Sequence, residues 1–170
     1  MKWPAIVFVL LVGAAGYAWK GNWHGFFPPP APDPAEDMVL RLAERLKTEG
    51  GGAAEWAMLG RSYVVLERPA EAAAAYRSAL KLEVRADWQV DLADLLASEQ
   101  QGRFDGEPSQ LIDAALAQDP DHLKALALAA SRDWRAGRRD AARQHWQRLL
   151  ERAPADHPLH EVARNSLAQP

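Results

Sequence analysis

The sequence predicts an all-α protein made of antiparallel helical pairs stacked in a row, and three observations predict it. Nearly half the residues are apolar, but Ala dominates and aromatics are few apart from seven Trp. That composition favours helices over strands. Trp56, Leu59, Tyr63 and Leu66 then form one helical stripe, and Ala72, Tyr76, Ala79 and Leu80 form a second just after it. Lastly, Pro120 and Pro154 stand 34 residues apart, as punctuation in a repeat of fixed length would.

The chain opens on an apolar run. Trp3 to Trp19 carries no charge, with Lys2 before it and Lys20 after. As a helix it reaches about 25 Å against a hydrocarbon core of about 30 Å, enough to span when Trp3, Trp19 and Trp23 sit at the interfaces. Residues 1–22 are therefore expected to be a transmembrane helix that anchors the chain. The competing reading is a cleaved signal peptide, with Ala5 to Val12 as its apolar core and Ala14 and Gly16 before the cut. Either reading exports the remainder of the chain, because the positive amino terminus stays inside. Residues 23–34 hold five Pro between Pro28 and Pro34, which forbids helix and favours an extended spacer.

Residues 35–170 read as the folded domain. Asp33 can cap and Pro34 suits a first turn, after which Met38, Leu42 and Leu46 recur at helical spacing until Gly50-Gly51-Gly52. Trp56, Leu59, Gly60 and Tyr63, then Ala72, Tyr76 and Ala79, meet the tetratricopeptide pattern W-x-x-L-G-x-x-Y, A-x-x-x-[FY]-x-x-A at every position. Gly60 and Ala72 are small where two helices approach closely. One such pair leaves apolar surface bare at both ends, so further pairs must follow. They do, in degraded form. Val84 stands where the repeat usually ends in Pro; in the last unit Leu126, Ala129, Ala130, Gly137, Ala142 and Trp146 fall on repeat positions, with Asp133 where Tyr is usual. The middle unit runs to about 36 residues because Gln100 to Pro108 makes a wide loop. A last helix, from about Asp156 to Leu167, would cap the stack. The fold class is thus a right-handed tetratricopeptide solenoid behind one N-terminal transmembrane helix.

Several stretches carry a closer likeness. They are Met38-Val39-x-Arg41-Leu42-Ala43-x-Arg45-Leu46, Trp56-x-x-Leu59-Gly60-Arg61-Ser62-Tyr63, Gly102-Arg103-x-x-Gly106-Glu107-Pro108, Asp119-Pro120-Asp121-x-x-Lys124-Ala125-Leu126-Ala127-Leu128-Ala129 and Trp146-x-x-Leu149-Leu150. In these the chain resembles the tetratricopeptide subunit of bacterial c-type cytochrome maturation, and also the related accessory protein of formate-dependent nitrite reductase. The likeness covers nearly all of residues 36–153. It implies a protein of the bacterial inner membrane with its soluble domain in the periplasm, where it holds apocytochrome c, chiefly by the C-terminal helix, while haem-lyase partners attach haem. Longer members carry two membrane segments and a coiled-coil loop, and fused members carry a C-x-x-C thiol domain. Here one anchor leads almost directly into the repeats and there is no Cys, so only the holding role is implied.

In stacked pairs the first helices line a concave groove, and their residues not used in packing face a ligand. By repeat arithmetic these are Arg61, Val64 and Val65, then Trp88, Asp91 and Leu95, then Lys124, Ser131 and Arg135. A floor of Val65, Trp88 and Leu95 beside Arg61 suits an amphipathic helix, with Arg61 or Lys124 available for a terminal carboxylate. Trp88 packing against its own neighbour is the open alternative.

Charge and composition exclude most other classes. A formal charge of -3 argues against nucleic-acid binding. Zero Cys excludes disulfides, thiolate zinc sites and thiol catalysis. Glu83 to Asp121 holds ten acidic residues and two basic ones, whereas Arg132 to Arg152 holds seven Arg and three acids; such runs either orient a partner or are solvated faces. Asp87, Asp91 and Asp94 share a helical face but lack a calcium loop, and His157 and His160 have no third ligand. Ser62 fails the nucleophile-elbow pattern and Gly50 to Gly52 cradle no phosphate. The sequence is thus expected to be no enzyme, with no metal or cofactor.

Overall fold

Proline and glycine set the helix boundaries. The computed structural model describes residues 34–168, and every regular element among them is an α-helix. The expected anchor, 1–22, and all of the expected spacer but Pro34 lie outside the described residues. No helix among the described residues is long and apolar enough to cross a membrane. The chain divides into compact units 1–37 and 38–170, and the described part of the first is the opening turn of a helix.

The helices are α1 (Pro34–Glu49), α2 (Ala53–Val65), α3 (Pro69–Leu82), α4 (Ala86–Glu99), α5 (Glu107–Gln118), α6 (Leu123–Arg135), α7 (Arg139–Arg152) and α8 (Pro158–Leu167). Pro34, the last residue of the expected spacer and expected to suit a first turn, begins α1, since its fixed φ fits there and its missing N–H costs nothing. Pro69, Pro108 and Pro158 occupy first turns in the same way. Pro108 thereby shortens the wide loop to Gln100–Gly106, and Pro158, with His157 Nδ1 accepting from Leu159 N at 3.2 Å, starts the last helix two residues late.

Three helices end alike. The N–H of Arg68, Gly102 and Arg138 donates to the carbonyl of Tyr63, Ala97 and Asp133 in turn, at 2.9, 2.7 and 2.8 Å, each closing a helix over a left-handed residue. Gly137 serves α6 at φ 75, whereas Glu67 takes φ 55 after α2 without a glycine's freedom. At the other end of α2, Glu55 Oε2 accepts from Gly52 N at 2.9 Å while its Oε1 accepts from Arg45 of α1 at 2.7 Å. The Gly52 bond first, and Arg45 second, hold the Glu55 carboxyl below its usual range.

The pairs α2/α3, α4/α5 and α6/α7 stack in chain order, and α8 covers α6 and α7. The core is a column along that stack. Ala43 and Leu46 of α1 meet Leu59, Tyr63, Ala72 and Ala75; Ala57, Ala73, Tyr76 and Ala79 meet Trp88 and Leu92; Ala93, Ile112 and Ala129 come next; and Leu126, Trp146, Leu149 and Ala163 close the far end. Alanine dominates because helices this close leave room for little else.

Gly60 is the tightest of these approaches. A Cβ there would lie 3.0–3.1 Å from three atoms of the Tyr76 ring, which is itself 2% exposed and has nowhere to retreat. Gly60→Ala gains about 1 kcal/mol of helix propensity but loses about 2 kcal/mol to overpacking. A lower urea midpoint is expected, worth about 1 kcal/mol on balance; a raised midpoint would mean that the ring yields.

Candidate functional site

α2, α4 and α6, the first helices of the three pairs, bring six of the nine expected groove residues to one cleft. Arg61, Val64 and Val65 of α2, Asp91 and Leu95 of α4 and Lys124 of α6 line a hollow of about 470 Å³, with Tyr76, Asp94 and Ser98. Val65 is 82% exposed, an unusual position for a valine on an ordered helix. Val64 is also exposed and Leu95 half-buried, so the cleft has an apolar side.

The two cations of the cleft differ. Lys124 Nζ donates to Asp91 Oδ1 at 2.8 Å and Asp94 Oδ2 at 3.0 Å, tying α6 to α4. Burial works against its charge, but the two carboxylates outweigh burial and raise its pKa. Lys124 is therefore already satisfied. Arg61 has no hydrogen-bond or ion-pair partner among the described residues. Burial, with Asp91 adding to it, pushes the Tyr76 hydroxyl up to about 12, so it stays a neutral donor at the cleft wall.

The remaining three residues lie elsewhere. Trp88, expected either in the groove floor or packed against its neighbour, takes the second place: it is 4% exposed and packs among Ala57, Ala73, Tyr76, Ala79 and Leu92. Its helix position turns inward because the small side chains of α3 leave a hole that only a large ring fills, with Arg85 over its face at 5.1 Å. Ser131 and Arg135 line a separate, smaller hollow with Trp134, Trp146 and Ser166. Sequence reasoning missed Tyr76, Asp94 and Ser98 in the cleft. Asp94 and Ser98 sit on the Asp91–Leu95 face of α4, so the same repeat arithmetic reaches them; Tyr76 belongs to a second helix, which that arithmetic does not assign to the groove.

The acidic and basic runs pair with each other across the repeat seams. Arg132 Nη1 donates to Asp113 Oδ1 at 2.6 Å, Arg148 and Arg152 reach Asp121 at 2.8 and 3.1 Å, and His122 Nε2 lies 3.0 Å from Asp87. Arg77 of α3 grips Glu107 of α5 with two nitrogens, at 3.0 and 2.7 Å. Asp87, Asp91 and Asp94 are thus struts between α4 and α6, and among the described residues no group of three His, Asp or Glu can hold a metal.

Asp133 is the hub of the last seam. It is 3% exposed, accepts from Arg138 Nη2 at 2.6 Å and Arg132 Nε at 3.2 Å, and lies 3.3 Å from His145 Nε2. Burial opposes its charge, yet Arg138 and Arg132 outweigh burial and hold the carboxyl below its ordinary 3.8. Burial holds the His145 imidazole below its ordinary 6.5 despite the nearby carboxylate. A lowered imidazole value means the unfolded chain takes that proton first, so stability falls as pH drops below about 6.5; the lowered carboxyl adds a second loss below about 4. Urea midpoints should be flat from pH 8 to about 7 and then decline, and His145→Gln should remove only the upper step. A midpoint that rises on acidification to pH 5 would contradict this.

Against this geometry, comparison with known proteins is decisive for the family. The family model described as the cytochrome c-type biogenesis protein H TPR domain matches residues 29–160, well over half of the chain. The chain belongs to this family. All nine groove candidates fall inside the matched stretch. The cytochrome c-type biogenesis protein CycH of Pseudomonas aeruginosa is 28% identical over 142 residues, and that of Bradyrhizobium diazoefficiens 30% over 141. These alignments take in 81% and 79% of this chain but 34% and 37% of those proteins, so the chain spans about a third of their length. The formate-dependent nitrite reductase complex subunit NrfG of Escherichia coli O157:H7 is 26% identical over 117 residues, 68% of this chain and 59% of that one. Among solved structures, MamA superposes with a TM-score of 0.61 over 78% of this chain and 84% of its own, at 14% identity, which bears on the fold alone. Family membership accounts for the repeats, and it places this chain among proteins of cytochrome c biogenesis.

Proposed function

We propose that this family member holds apocytochrome c for haem attachment and is not itself an enzyme. The observation that carries the reading is the α2/α4/α6 cleft, where Val64, Val65 and Leu95 offer an apolar side and Arg61 a cation with no partner among the described residues. An amphipathic helix laid in that groove would bury its apolar stripe on the valines and set a carboxylate on Arg61. The C-terminal helix of an apocytochrome is the ligand of this kind, and the haem-lyase subunits are the partners that use it. The apolar run Trp3 to Trp19 fits a single-pass anchor in the bacterial inner membrane, with the repeats in the periplasm. No cofactor, metal or nucleic acid enters this role.

A second reading has its own support, since the chain covers more of the nitrite reductase subunit than of either CycH protein. In that reading it serves one haem-lyase assembly. Deleting the gene and staining the membranes for covalent haem separates the two. Loss of every c-type cytochrome supports general maturation, loss of one supports the dedicated role, and an unchanged pattern rejects both.

A further inference from the structure

A second cleft, of about 560 Å³, opens at the other end of the exposed face of α6, where the loop Gln100–Gly106 meets the turn between α6 and α7. Four arginines line it, Arg103, Arg132, Arg135 and Arg138, against one acid, Asp105. Two of the guanidiniums are fixed from behind. Arg132 donates to Ser109, Asp113 and Asp133, and Arg138 donates two bonds to the buried Asp133 carboxylate.

The other two are positioned but unspent. Arg135 lies flat on the loop at Gly102, where a Cβ would sit 2.7 Å from its Nη2, so the glycine makes room for the guanidinium. Arg103 donates its Nε–H to Gln100 O at 3.3 Å. Neither has a carboxylate partner among the described residues. Both side chains are exposed, so an incoming anion can reach the two guanidiniums.

We propose that this cleft is a carboxylate-binding site for an acidic side chain on a protein partner. Planar guanidinium forks match a carboxylate two bonds at a time. The charge balance selects a monoanion. Arg132 and Arg138 are already met by Asp113 and Asp133 behind the cleft, and the lining sets one acid, Asp105, beside the two exposed guanidiniums of Arg103 and Arg135, a formal balance of one positive charge that one added carboxylate complements. The site uses none of the side chains of the α2/α4/α6 cleft, so it stands or falls independently of the groove.

The test is a titration of the full chain, isotope-labelled in detergent micelles, with blocked hexa-glutamate, blocked hexa-glutamine and inorganic phosphate, read by amide chemical shifts. Hexa-glutamate should move residues 102–106 and 135–138, hexa-glutamine should not, and phosphate should bind more weakly than the acidic peptide. Arg103→Gln with Arg135→Gln should weaken hexa-glutamate about fivefold, whereas Arg61→Gln leaves these shifts unchanged. Equal shifts with hexa-glutamine, an unchanged affinity in the double variant, or tighter binding of phosphate would each overturn the proposal.

Discussion

Asp133→Ala is expected to lower the unfolding free energy by about 3 kcal/mol, because it removes one partner of a buried charge cluster and leaves the others in place. Arg138 suffers little, since its side chain is 54% exposed and can turn to water. Arg132 cannot do the same. Its side chain is 15% exposed and pinned by Asp113 and Ser109 at the seam between α5 and α6. Its Nε would then be left without an acceptor, and a small void would open beside His145. Urea denaturation measures the loss. A change below about 0.5 kcal/mol, ordinary for a surface site, would show that the cluster is wetter than the structure has it.

Val65→Glu combined with Arg61→Glu should do the opposite, sparing the fold and removing the ligand. Both side chains are exposed and neither takes part in the core column. The stability change should stay within about 0.5 kcal/mol. Affinity for an amphipathic helix ending in a carboxylate should fall more than about tenfold, since the pair replaces an apolar contact and a cation with two negative charges. Lys124→Ala separates the two roles in the cleft. Lys124 is a strut between α4 and α6, so its loss should lower the urea midpoint more than it lowers the affinity.

Much of the fold was legible in the sequence because tetratricopeptide packing is written in side-chain size. Trp56, Leu59, Gly60, Tyr63, Ala72, Tyr76 and Ala79 each occupy a position that only their volume suits, and the structure places them accordingly. Groove positions carry no such constraint. Repeat arithmetic brought Arg61, Val65, Asp91, Leu95 and Lys124 to one cleft, but it could not tell that Trp88 turns inward to fill the space above Ala73. Nor could it tell a spent cation from a free one, because the partners of Lys124 lie a whole repeat away.

Asp133 shows the same limit from the other side. In the first repeat Tyr63 is followed five residues later by Arg68, whose guanidinium lies 5.1 Å from the Tyr63 ring. In the third, Asp133 is followed at the same interval by Arg138, and a carboxylate replaces the aromatic ring as its partner. The recurrence of Arg five residues on was visible in the sequence. That Arg132 and His145 complete the cluster was not, because it depends on how α5, α6 and α7 meet.

The central claim, that the concave face takes an unfolded cytochrome's last helix, is tested most directly by calorimetric titration of the full chain in detergent. One titrant is a synthetic C-terminal helix of an apocytochrome c, and the other is the folded holocytochrome. The peptide should bind and the holoprotein should bind at least about tenfold more weakly, its helix being buried in its own fold. Equal binding to both, or heat from the holoprotein alone, would contradict the account.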